Sequence, residues 1–207
     1  MTRTQEMISV VELAPSPSEV ERQSTRNIGL LNASGALNGL RDEFFEALQQ
    51  PIASKGRMAK ALKVADKLSK AATPFSACKS RCSHCCHIPT TISQTEAKLL
   101  AEASGRKVAR VEARYSRAET AHYFRTPCPF LKKGSCSVYS ARPMACRLMF
   151  NMADTPYFCN PAIEPEDSHV TMLNLQDMHM SFTGTFLNEA FADIRDFFPA
   201  LQGTTSS

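Results

Sequence analysis

The chain of 207 residues has no tryptophan, only eight glycines and no long apolar run. Scarce glycine disfavours the loops that cradle phosphates, and neither a phosphate-loop motif nor a dinucleotide fingerprint occurs. No apolar run approaches the roughly 18 residues needed to cross a bilayer. Near the N-terminus, the stretch Met7 to Val11 is too short for a signal-peptide core and lacks a small-residue cleavage site. We therefore expect a cytoplasmic protein without membrane association, its thiols kept reduced. Charge is almost balanced, with a net of +4. Lys60, Lys63, Lys67 and Lys70 would line one face of a helix, with Arg57 adjoining. No stacking aromatics are interleaved, so a solvated face is favoured and nucleic acid is not expected as a partner.

What the chain does have is cysteine, eight in all. Cys78, Cys82, Cys85 and Cys86 form one cluster, followed by His87. Cys128 and Cys136 bracket a Lys-Gly turn signal, Cys146 follows Arg142-Pro143, and Cys159 comes thirteen positions later. The chain is long enough to bury a core without disulfide staples. Thiolates two to four residues apart can converge on a soft metal, and the fold can return a second group to complete the coordination. Metal binding is thus the favoured reading, with all eight cysteines as candidate ligands. Cys82 and Cys85 have the spacing at which a tight loop points both sulfurs inward. Cys78 would join them one turn upstream if that segment were helical. The adjacent Cys85 and Cys86 would diverge in an extended chain, so one of them could serve a second site. Eight thiols are twice what one tetrahedral zinc needs, and they match either two four-cysteine sites or one cluster with spare thiols. His84, His87 and His122 are better read as surface or supporting residues. Arg142 and Arg147 could offset thiolate charge.

The rest of the chain reads as helical. Residues 1–35 are polar, contain Pro15 and Pro17 and show no sustained period, which predicts a disordered or loosely attached tail. Leu37, Leu40, Phe44 and Leu48, then Met58 to Ala72, predict two helices ended by Pro51 and Pro74 and packed as a hairpin. Ser93 to Glu96 reads as a capping box, with Gly105 as the C-terminal cap. Residues 106–121 are read as a basic helix, 128–139 as a β-hairpin, and Pro143 as opening a short helix that carries Cys146. A last helix is predicted over about 177–197, with its phenylalanines in the core. The expected fold is mostly α, a small α+β arrangement of helices around a cysteine-rich core with one hairpin. It would comprise a single domain over 36–200, a metal-binding core at 74–160 and a flexible C-terminus at 201–207.

Taken in order, the motifs Cys78-Lys-Ser-Arg-Cys82-Ser-His-Cys85-Cys86-His87, Cys128-Pro-Phe-Leu, Gly134-Ser-Cys136-Ser-Val-Tyr139 and Arg142-Pro-Met-Ala-Cys146-Arg147 resemble the YkgJ-like cysteine-cluster family. The first gap holds three residues here where the family pattern has two. The resemblance implies a zinc- or iron-chelating domain. A related cluster resembles part of the flagellin lysine methylases.

The expected function is therefore a cysteine-ligated metal centre, an iron–sulfur cluster in preference to zinc, acting in redox or electron transfer, metal handling or sensing. The alternatives are an enzyme using the centre for redox or methyl transfer, and a structural zinc domain that binds a protein or nucleic acid. The spacing of Cys78, Cys82 and Cys85 also matches radical S-adenosylmethionine enzymes. Here, however, helices precede it and no alternating strands and helices follow. A protein partner is left open, and no substrate is indicated.

Overall fold

The computed structural model describes residues 14–79, 81–111 and 120–199. Helix α1 (Pro17–Ala33) opens at Ser16, whose hydroxyl accepts from the Glu19 N–H, with Pro17 in the first turn. It buries Val20, Ser24, Asn27 and Leu31. Residues 17–33 therefore differ from the disordered or loosely attached tail expected over 1–35. Much of the anchor is polar and distant in sequence, so hydrophobic periodicity does not reveal it. Asn27 Nδ2 donates to the Met152 carbonyl at 2.8 Å, and Arg26 pairs with Asp154 at 2.5 Å. Residues 1–13 and 201–207 lie outside the described residues.

Helices α2 (Leu40–Gln49) and α3 (Ser54–Ala72) pack as the expected hairpin, joined across Pro51. Gly39 enters α2 at φ +72°, a conformation glycine adopts without a Cβ penalty. Phe44, Ala47 and Leu48 face Met58, Ala61, Leu62, Ala65 and Leu68 in the larger apolar cluster. The lysine face of α3 turns toward α2: Lys67 pairs with Glu43 at 2.5 Å and Lys60 donates to Gln50 at 3.1 Å. This is the solvated face expected from the sequence, and the structure adds the two pairings across the hairpin.

Strand β1 (Thr91–Ser93) leads into α4 (Gln94–Ser104) through the complete Ser93–Glu96 capping box, and Gly105 ends the helix in the left-handed region. Beyond it, residues 106–111 are irregular, and the remainder of the basic helix expected over 106–121 lies largely outside the described residues. The hairpin forms as predicted. Strands β2 (Leu131–Lys132) and β3 (Ser135–Cys136) pair Leu131 with Cys136, and Lys133 and Gly134 both take positive φ at the turn. Helix α5 (Met144–Arg147) follows Pro143 and carries Cys146.

The single helix expected over 177–197 is two helices with a strand between them. Helix α6 (Gln176–Thr185) stops, strand β4 (Phe191–Asp193) pairs antiparallel with β1, and α7 (Ile194–Phe197) follows. Asp193 accounts for the break. It caps α7 in a second capping box with Asp196, and its other carboxylate oxygen accepts from the Thr90 N–H at 2.6 Å. The local preference for a new N-cap, together with pairing to β1, outweighs continued helical periodicity. The phenylalanines are buried in the core, as read.

Two apolar clusters result. One gathers α1, α2, α3, α5 and α6, and the other gathers β1, α4, the hairpin and α7. Cys128 and Cys136 pack against the second, whereas Met144 and Leu148, which flank Cys146, belong to the first.

Candidate metal centre

The first cysteine stretch is irregular backbone held from outside. Ala77 N–H donates to the Asn151 carbonyl at 2.9 Å, and Cys78 Sγ lies 3.9 Å from the Met149 carbonyl oxygen. Cys78 is not on a helix, so it does not join Cys82 by helical phasing. Instead Arg81 takes φ +69° and turns the chain, and the Cys82 N–H closes the turn onto Lys79 at 3.0 Å. A 3₁₀ turn over His84–His87 then carries both Cys85 and Cys86. Successive side chains on such a turn are about 120° apart, yet the Cys86 thiol still reaches the Cys85 sulfur in a hydrogen bond.

The second stretch is stitched to the first by backbone. Cys128 N–H donates to the Cys86 carbonyl at 2.7 Å, and Arg125 N–H donates to the His87 carbonyl at 2.7 Å. The hairpin brings Cys136 opposite Leu131, whose N–H bonds back to the Cys128 carbonyl at 2.9 Å. Arg195 closes the junction. Its guanidinium donates to the carbonyls of Cys86 at 3.3 Å, Ile88 at 3.2 Å and Thr126 at 2.5 Å, while pairing with the fully buried Asp193. Cys159 is reached differently: Asn151 Nδ2 donates to its sulfur at 3.2 Å. Asn151 thus contacts the Cys78 side through its carbonyl and Cys159 through its amide.

All eight cysteines are free thiols, seven half-buried and Cys85 exposed. Burial pushes Cys78, Cys128 and Cys146 up, most strongly at Cys146, and raises Cys159 to about 11. Neighbouring thiolates add to these shifts. Cys82 and Cys85 act on both Cys78 and Cys159, whereas Cys128 and Cys136 act on Cys146, which Cys85 also reaches. Cys85 goes the other way, to about 7, because Cys86 hydrogen-bonds to its sulfur and Arg142 supplies positive charge. Cys86, on the other side of that bond, is pushed up. Cys85 is therefore the thiol most readily ionised among those with a shifted pKa.

The arginines divide. Arg142 lies over the Tyr139 ring at 4.2 Å, donates to Ser69 at 2.7 Å, and keeps a buried Nε with no hydrogen-bond partner among the described residues. Arg147 is buried and structural, paired with Asp66 and donating to the Arg142 and Ser140 carbonyls. His87 Nδ1 sits 3.1 Å from the Ser83 carbonyl, and His122 packs on Tyr123. Among the described residues, no histidine belongs to a ligand-like group of three. Sequence reasoning missed Arg195, Asp193, Asn151 and Glu96. Glu96 is fully buried and accepts from the Met144 N–H at 2.7 Å, so it fixes the start of the helix carrying Cys146. The capping-box pattern pointed to Glu96, Asp193 sits in a similar pattern with Asp196 that the helical reading of 177–197 passed over, and no local motif marks Arg195 or Asn151.

The donor set fits a soft metal in kind and number: eight thiols, with the Cys86 and Cys128 segments joined by a main-chain bond. Among the described residues, no three Cys, His, Asp or Glu side chains already surround a common point as ligands. Backbone bonds join the Cys86–His87 segment to the Arg125–Cys128 segment. The chain's similarity to known proteins agrees with this chemistry. Residues 77–168 match the family model CxxCxxCC, described as a "putative zinc- or iron-chelating domain". The resemblance read from the cysteine motifs is borne out over those residues, and metal chelation is the property the match supports. No curated protein and no solved structure matches the chain. Among the described residues, no helix is long and apolar enough to cross a membrane.

Proposed function

We propose that the chain is a metal-centre protein in which Cys78, Cys82, Cys85, Cys86, Cys128, Cys136, Cys146 and Cys159 supply the ligands. The metal-binding core is residues 74–160. The observation that carries this reading is the bond from Cys128 N–H to the Cys86 carbonyl, which joins two cysteine stretches more than forty positions apart in sequence. The favoured occupant is an iron–sulfur cluster, and the favoured roles are redox or electron transfer, metal handling and sensing. Such a cluster would supply one-electron chemistry at a potential set by burial and by hydrogen bonds to its sulfurs. The chain's own residues supply the surroundings. Asn151 donates to the Cys159 sulfur, and Arg142 places positive charge near Cys85.

The test is anaerobic purification of the full chain, followed by an absorption spectrum and a metal-to-protein ratio. An iron–sulfur centre gives a broad band near ~400 nm that bleaches with dithionite. A colourless protein holding stoichiometric zinc would transfer the reading to a structural zinc domain that acts as a binding module. A protein that takes up neither metal would overturn it.

A further inference from the structure

We propose that the β-hairpin between Cys128 and Cys136, together with the segment 106–111 packed beside it, is a docking surface for an acidic stretch of a partner protein. The inference goes beyond the metal-centre reading, because this face is present whatever ion the cysteines hold.

Segment 106–111 is laid against the hairpin loop by bonds to distant residues. Arg106 Nη1 donates to the Pro129 carbonyl at 3.0 Å, and its guanidinium lies over the Phe130 and Phe198 rings at 5.4 and 5.6 Å. Ala109 N–H donates to the Phe197 carbonyl at 2.8 Å. Val108 and Val111 pack against the apolar cluster that contains Phe130 and Val138, and Cys128 and Cys136 pack against the same cluster. With the two valines turned inward, Lys107 and Arg110 are left exposed. Lys132 and Lys133 are exposed at the tip of the hairpin.

Little beside these cations cancels their charge. From Thr120 to Ala153 the chain contains no Asp or Glu. Among the described residues, Lys107, Arg110, Lys132 and Lys133 take part in no ion pair. Asp196 on α7 is already engaged, accepting from the Tyr123 hydroxyl at 2.6 Å and the Asp193 N–H at 3.2 Å. The lysine face of α3 differs, because Lys60, Lys63 and Lys67 line a cleft together with Glu43 and Glu46. Uncompensated positive charge on one exposed face attracts and orients an anionic partner surface. Nucleic acid is disfavoured because the aromatic rings here are occupied. Phe130 and Phe198 are buried under Arg106, and Arg142 covers one face of the exposed Tyr139 ring at 4.2 Å.

The experiment measures binding of a labelled short poly-L-glutamate to the full chain by fluorescence anisotropy. Affinity should fall as salt is raised. Lys107→Glu/Lys132→Glu should weaken binding about tenfold or more, whereas Lys60→Glu/Lys63→Glu, with the same change in charge, should weaken it far less. Carbodiimide crosslinking of the wild-type chain to the peptide, mapped by mass spectrometry, should join it to Lys107, Lys132 or Lys133. If the first variant fails to fold, the crosslink map decides alone. Equal losses in the two variants, crosslinks on the α3 lysines instead, or no binding of the peptide would overturn the proposal. Tighter binding of an oligouridylate of equal charge would also overturn it, in favour of nucleic acid. Metal content, measured in the same samples, tests the metal-centre reading separately.

Discussion

Arg195 Nη2 donates to the main-chain carbonyl of Cys86 at 3.3 Å, across 109 residues of sequence. The same guanidinium serves Ile88 and Thr126 and is neutralised by Asp193. One buried ion pair thus ties the C-terminal strand and helix to both cysteine stretches. Breaking a buried pair from one side leaves an uncompensated charge. Arg195→Ala should therefore lower unfolding stability by about 3–5 kcal/mol. Lysine should not restore it, because an ammonium lacks the planar fork that reaches three carbonyls. In urea titrations, the Asp193→Ala/Arg195→Ala double variant should lose less than the sum of the two singles. Simple additivity would remove the pair from this role.

Burial raises Glu96 to about 7, against resistance from the Ser93 and Met144 N–H groups that bond to it. The folded state then takes up a proton that the unfolded state releases near 4.5. Stability contributed by this group is complete below that lower value, falls as pH rises through the window between the two, and levels off above it. Glu96→Gln abolishes the titration. It also turns an amide N–H₂ toward one of the two backbone donors, which costs about 1–3 kcal/mol. Urea midpoints across the window should slope downward with pH more steeply for the wild type than for the variant. Parallel slopes would exclude Glu96 as the titrating group.

Metal uptake should be strongly pH-dependent. Burial keeps Cys78, Cys128, Cys146 and Cys159 protonated above the ordinary thiol range, so an incoming cation must displace those protons. Affinity should fall as pH drops. Calorimetry in two buffers of different ionisation heat should register proton release on binding. Affinity that does not change with pH would show that these thiols are not the ligands.

Chelation should lower the melting temperature of the whole domain, since metal binding and folding draw the same segments together. Cys85→Ser and Cys136→Ser should each reduce metal content. Full retention in both, measured by elemental analysis, would refute the two-stretch centre.

Helix α1 provides a separate test. Leu31 is fully buried, so Leu31→Ala should cost about 2–5 kcal/mol. Asn27 and Arg26 hold Met152 and Asp154, which lie between Cys146 and Cys159. Deleting residues through Ala33 should therefore weaken metal retention as well as stability. A truncated chain with unchanged metal content and melting temperature would make α1 an appendage.

Much of the local architecture was legible. Apolar spacing announced the α2–α3 hairpin, Ser93 with Glu96 announced the start of α4, and the Lys133-Gly134 pair announced the β-hairpin. These features depend on residues within a few positions of one another. The terminal helix was misread for the opposite reason. Phe186, Ala190, Ile194 and Phe197 keep a helical period, yet β4 forms because β1 stands about a hundred residues away with open hydrogen-bonding groups. The docking of α1 was hidden likewise, because Asn27 and Arg26 act through partners beyond position 150.

The cysteine spacing by itself determined the chemistry: soft donors in groups too close to be accidental and too many for one zinc. Tertiary structure decided which segments meet. The bond from Cys128 to Cys86, the reach of Asn151 to Cys159 and the fork of Arg195 each join groups separated by eight to more than a hundred positions. Spacing restricts only what a short loop can present to an ion. The assignment of sulfurs to a site depends on chain crossings, and those are set by burial of two apolar clusters and by satisfaction of the main-chain groups between them.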